Sequence, residues 1–146
     1  MKALVFSRKP AKFAAAMVAG RLTPGGGAKV GPLALRDVDP PEPPGPGWVH
    51  VRPRLAGICG SDLATIAGTS SRWFEPIVSF PFTPGHEVVG DLDDGTRVAV
   101  VPVLSCVTRG FSSVCPPCAE GRINHCERIA FGGLEPGLQC GFCEST

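Results

Sequence analysis

Tyrosine is absent from the 146 residues, and only 18% of them are charged. No apolar run approaches the roughly 18 residues that a membrane-spanning helix needs, so no membrane partner is expected. The 14 Lys and Arg are scattered against 13 Asp and Glu, giving a net charge of +1. Without a basic stripe interleaved with aromatics, nucleic acid is not an expected partner. No G-x-G-x-x-G follows a strand pattern, and Gly25, Gly26 and Gly27 precede a loop, so no dinucleotide-binding unit is expected within these residues. No internal repeat is evident. An even set of cysteines, the mark of a secreted disulfide framework, is lacking too: there are seven. That favours a reducing, cytoplasmic compartment. The opening "MKALVFSRKPAKFAAAMVAG" has the basic-then-apolar order of a secretory signal, but its apolar part is short and "MKALVF" alternates like a strand.

What the chain does have is punctuation. Nineteen Gly and 16 Pro favour short strands and turns over long helices. The length is that of one domain, able to bury roughly 68–70% of its unfolded surface without outside help. Residues 1–7 read as a strand. Residues 20–47 read as loop around a short strand near 33–38. "WVHVRPRL" alternates, with Val49, Val51, Pro53 and Leu55 on one side, and Pro53 marks an edge or a bulge. After Cys59, Ser61 or Asp62 can cap a short helix toward Ile66. "HEVVGDL" and "TRVAVVPV" form a hairpin across Asp93, Asp94 and Gly95. The expected fold is mainly β, a partly open barrel with short helices and one cysteine lobe over about 104–128.

In that lobe, Cys115 and Cys118 stand two residues apart, a gap that lets two thiolates reach one ion from a single turn. Cys126 follows after Gly121, which can reverse the chain, and Cys106 precedes the group. Four thiolates would fill every position on a zinc ion and make the site structural, ordering a polar, Pro/Gly-rich segment. One disulfide with free thiols is the alternative, and His125 is either a substitute ligand or a surface imidazole. Arg109, Arg122 and Arg128 would offset the negative charge of such a site. Cys59, His86 and Glu87 form a second set, a thiolate, an imidazole and a carboxylate that would leave a coordination position open, as catalytic zinc requires. The alternative is that Cys59, between glycines, is a small buried residue and that His86 and Glu87 adjoin by chance.

These motifs in this order, "GICGSD" (57–62), "PGHEVVG" (84–90) and a cysteine lobe, together with the opening "MKALVF" and the approach "PPEPPGPGWVHVRPRLAGICGSD", resemble the zinc-dependent alcohol dehydrogenases of the medium-chain dehydrogenase/reductase superfamily. The resemblance implies that residues 1–146 are a GroES-like catalytic domain. It implies two Zn2+ ions, one catalytic on Cys59 and His86 with Glu87 beside it as an occasional ligand or electrostatic tuner, one structural on Cys106, Cys115, Cys118 and Cys126. Ser61 would hydrogen-bond the substrate hydroxyl and take its proton, and Asp62 would orient the ligands. The substrate would be a small alcohol or polyol, oxidised to a carbonyl with hydride transfer to NAD or NADP. The complete enzyme would be a homo-oligomer.

Several departures accompany the resemblance. Eight residues separate Cys106 from Cys115 where the family has two, and "DLDD" is a shortened approach to the next strand. Ala64 stands where a relay histidine often follows the serine. The family's third catalytic ligand and its nucleotide-binding Rossmann domain are not among these residues, so the chain alone is expected to be inactive. Cys140 or Cys143 would be a substitute third ligand, or a loop thiol. Trp73 and Phe74 hint at an apolar wall. The competing functions are a non-enzymatic zinc-binding GroES-like module and a zinc-ribbon nucleic-acid binder.

Overall fold

Strand β1, Lys2–Phe6, buries Ala3, Val5 and Phe6. It pairs antiparallel with β2, Leu33–Asp37, from Lys2 opposite Asp37 to Phe6 opposite Leu33. The computed structural model describes residues 1–70 and 79–131, so Trp73, Phe74, Cys140 and Cys143 lie outside the described residues. Between β1 and β2 run two helices, α1 (Pro10–Leu22) and α2 (Gly26–Val30). The 13-residue α1 corrects the expectation of short helices only, and of loop from residue 20. Pro10 enters at the first turn, where its missing N–H costs nothing, and strong helix formers follow. The helix packs through small residues. Ala16 is fully buried, and a Cβ on Gly27 would meet the Ala16 carbonyl at 2.9 Å and the Ala67 Cα at 3.1 Å. Such close backbone approach requires glycine and seats both helices against the end of the next one.

The central sheet has the order β3-β4-β5, with β3 Arg52–Gly57, β4 Glu87–Asp91 and β5 Arg97–Val100, all antiparallel. The register of β3 on β4 shifts between Pro53 and Leu55, the bulge that Pro53 announced. Val49 and Leu55, placed on one side by the alternation, are 65% and 74% exposed. The hairpin from β4 to β5 closes as expected, with Gly95 at φ +84° and its N–H on the Leu92 carbonyl. Asp91 links the sheet crosswise, accepting from Arg97 at 2.7 Å and Arg54 at 3.0 Å. The Arg97 hydrogen bond holds the Asp91 carboxyl below its usual range.

The run 96–103 does not continue as one strand. Pro102 has no N–H for the ladder, and β6 (Val103–Leu104) pairs instead with β7 (Ala130–Phe131). This two-rung pair brings the ends of the cysteine lobe together. The described residues therefore hold three small sheets, not a closed barrel. Helix α3, Gly60–Ile66, follows β3 directly. The segment before β4 is anchored to β1 by the pair Phe6–Phe82, where both N–H groups donate across at 2.8 and 3.1 Å and the rings stack at 5.3 Å. These two connections aim the α3 N-terminus and His86 at the same place.

Candidate metal centres

Cys59 is the N-cap of α3. Its Sγ accepts from the Ser61 N–H at 3.4 Å, while Asp62 accepts from the Cys59 N–H at 3.0 Å. This reciprocal pair closes the helix entrance with a thiol in the place usually taken by a hydroxyl. The expected cap at Ser61 or Asp62 is corrected accordingly. Asp62 is 5% exposed and also faces the second loop, where the Gly85 N–H donates to it at 3.4 Å and His86 Nδ1 stands 3.7 Å away. One buried carboxylate thus joins both loops, fixing the thiol and the imidazole relative to each other.

Ligand atoms of Cys59, His86 and Glu87 all lie within 4.8 Å of one another. Cys59 and His86 are half-buried and Glu87 is exposed, so the cluster opens to solvent. Glu87 is held back over its cross-strand neighbour: a Cβ on Gly57 would meet its Oε2 at 2.3 Å. That dependence on Gly57 was missed from the sequence, although the glycine stands in the motif itself. Ser61 Oγ is 3.1 Å from Cys59 Sγ and exposed at the cluster mouth.

The second cluster is closed. Cys106, Cys115, Cys118 and Cys126 are 0–8% exposed, and their sulfurs also lie within 4.8 Å of one another. Sγ of Cys106 is 3.5 Å from that of Cys126 and 3.8 Å from that of Cys115, and Cys115 to Cys126 is 3.9 Å. Four sulfurs at about 2.3 Å from zinc define a tetrahedron with an edge of about 3.8 Å, so the spacing fits that ion. All four are free thiols, which corrects the disulfide alternative. His125 is exposed and outside the cluster.

Local chemistry explains the arrangement. Cys115 precedes the single turn α4 (Pro116–Ala119), which carries Cys118 back toward it. Gly121 at φ +79° ends the turn, its N–H on the Cys118 carbonyl, and a 3-10 turn at Ile123–His125 delivers Cys126. A backbone hydrogen bond at Cys115, with help from Arg128 against the cost of burial, lowers the Cys106 thiol to about 6. Burial pushes Cys118 up to about 11. Of the three arginines expected to offset the charge, Arg128 reaches a sulfur, with Nε 3.3 Å from Cys106 Sγ. Arg109 instead donates to backbone carbonyls, and Arg122 pairs with Glu120 at the exposed surface.

Residues 45–145 match the alcohol dehydrogenase GroES-like domain model. Sorbitol dehydrogenase of Arabidopsis thaliana is 32% identical over 118 residues, 74% of this chain and 29% of that protein. A cobalt and zinc bound thermostable alcohol dehydrogenase from Pyrobaculum aerophilum superposes with a TM-score of 0.65 at 26% identity, over 100% of this chain and 38% of that one. A short chain alcohol dehydrogenase (rspB) of Escherichia coli CFT073, complexed with NADH, gives 0.63 at 28%, over 100% and 35%. The chain spans about a quarter of the length of the curated relatives it matches. Two donor clusters on a strand-rich frame and a matching model over more than half its residues lead to one conclusion: the chain belongs to the zinc-type alcohol dehydrogenase family and carries its GroES-like domain.

Proposed function

We propose that this chain supplies the zinc-binding catalytic part of an alcohol or polyol dehydrogenase. The observation that carries the reading is the convergence of Cys59, His86 and Glu87, from two separate loops, within 4.8 Å under one buried carboxylate. In this reading Cys59, His86 and Glu87 hold a zinc open to one further donor, and Cys106, Cys115, Cys118 and Cys126 hold a closed one. When bound at the open site, zinc supplies the Lewis acidity that brings an alcohol hydroxyl's pKa toward neutrality.

The chain's own groups do the rest. Asp62 faces His86 Nδ1 and leaves Nε2 for the cation, which selects the tautomer. Ser61 Oγ, beside Cys59 Sγ, accepts the proton of the substrate hydroxyl as it gives up its own. With Ala64 one turn further along α3, that proton passes to water rather than to a side chain there. Hydride acceptance by NAD or NADP belongs to a nucleotide-binding domain outside these 146 residues. Compartment and assembly follow from the same reading: a cytoplasmic enzyme that is homo-oligomeric when complete. Among the described residues no helix is long and apolar enough to cross a membrane.

The test uses Co2+ in place of zinc. Adding imidazole as an exogenous donor should perturb the visible spectrum of the open site and leave the four-thiolate bands unmoved. The purified chain mixed with NAD or NADP and alcohols should give no turnover. A spectrum indifferent to every added donor contradicts the open site, and robust turnover contradicts the placement of the hydride acceptor elsewhere.

A further inference from the structure

Eight residues enter the cysteine lobe between Cys106 and Cys115, and something must hold them against the sulfur cluster. Within this loop the Phe111 N–H donates to the Cys106 carbonyl at 3.0 Å. The Phe111 ring lies under two guanidinium groups, Arg109 at 4.5 Å and Arg128 at 4.8 Å from its centroid. The two arginines differ in what else they touch. Arg109 donates to the carbonyls of Ser105 and Arg128. Arg128 directs Nε to Cys106 Sγ at 3.3 Å and Nη2 to the Ser113 carbonyl, near the far end of the insertion.

We propose that Arg128 is a positioning residue of the cysteine cluster, one side chain that both tunes the Cys106 sulfur and fastens the inserted loop over it. The proposal rests on the reading that this cluster holds a metal. Four thiolates around a divalent cation carry a net double negative charge, and Cys106 is fully buried. A charge-assisted N–H at that sulfur draws off electron density, which raises the energy of sulfur-to-metal charge transfer, while the guanidinium charge offsets the buried negative charge and so favours the assembled metal site. The fork of a guanidinium offers two donors in fixed geometry, so contact with the sulfur and contact with Ser113 enforce each other. A lysine ammonium is a point charge on a flexible stem and satisfies one of them. Arg109 shares the ring and the neighbourhood but touches no sulfur, which makes it the natural control.

The experiment loads Co2+ into the full chain in a Cys59→Ser background, which removes the thiolate of the open cluster. Arg128→Gln should move the sulfur-to-cobalt charge-transfer band to longer wavelength and lower metal affinity about 10–100-fold in chelator competition. Arg109→Gln should leave the band in place. Arg128→Lys should retain most of the band position while speeding amide exchange across residues 107–114. The role of Arg128 is overturned if Arg128→Gln keeps the parent band and affinity, or if Arg109→Gln shifts the band equally. Should Arg128→Gln not fold, Arg128→Lys decides, because parental exchange rates in the loop would refute the fastening. Failure of the underlying metal reading is a separate result, seen as no four-thiolate band in the chain with Arg128 intact.

Discussion

Two clusters of side chains able to ligate a metal sit on one small domain, and they differ in almost every other respect. The cysteine lobe draws four sulfurs from one short stretch, 106–126, and buries all of them. The Cys59 cluster draws three different donor types from loops far apart in sequence and leaves them half-buried or exposed. Local sequence is enough to build the first: a single helical turn, a left-handed glycine and a 3-10 turn. The second exists only because the tertiary fold brings the α3 N-terminus to the entry of β4 and Asp62 binds both. The closed cluster is thus written locally, while the open one is assembled at long range. That difference orders the expected effects of perturbing each.

The largest effect belongs to the lobe. Cys106→Ser or Cys118→Ser should abolish its metal and unfold residues 103–131, since metal binding contributes on the order of 10 kcal/mol to such sites. Hydrogen exchange over that segment checks this, and the Cys59 cluster should keep its geometry. Next comes Asp62→Ala, which strands the part-buried N–H of Cys59 and the buried N–H of Gly85, at about 1–3 kcal/mol for the latter and less for the former. Denaturant unfolding should register that loss, together with a drop of about 10–100-fold in metal affinity of the open site alone. Gly27→Ala should cost about 1–3 kcal/mol, because its Cβ would press on backbone rather than on a flexible side chain. It should leave both metal affinities nearly unchanged once refolded. Gly57→Ala is gentler: it displaces the Glu87 carboxylate, and a few-fold change in open-site affinity should follow with the lobe unaffected.

Proton release sharpens the contrast further. The Cys118 thiol, raised toward about 11 by burial, is protonated at neutral pH, whereas Cys106, lowered to about 6, is largely thiolate there. Metal uptake must displace the Cys118 proton, so lobe affinity should rise with pH between about 6 and 9. Isothermal titration in buffers of different ionisation enthalpy counts the protons released.

How legible was this in the sequence? The hairpin at Asp93-Asp94-Gly95 was, because its turn chemistry is local. The grouping of each cluster was, because residue type and spacing carry it, although the convergence of Cys59 with His86 required the family resemblance as well. Helix α1 was not. It packs through Ala16 and close-approaching glycines rather than an apolar stripe, so the helical period is faint. Pro10, a run of helix formers and then Thr23-Pro24-Gly25 were the available signal. The alternation at 48–55 misled for the opposite reason: period two fixes which residues share a side, not which side is covered, and Val49 and Leu55 face outward. The cap of α3 was misplaced because a thiol took a role usually given to a hydroxyl.

The most direct test of two independent centres is zinc stoichiometry by native mass spectrometry on the chain and its Cys59→Ser variant. The account predicts about two zinc ions for the first and about one for the second, with the lobe's exchange protection intact. A single zinc in both proteins, or loss of both ions on changing Cys59 alone, would contradict it.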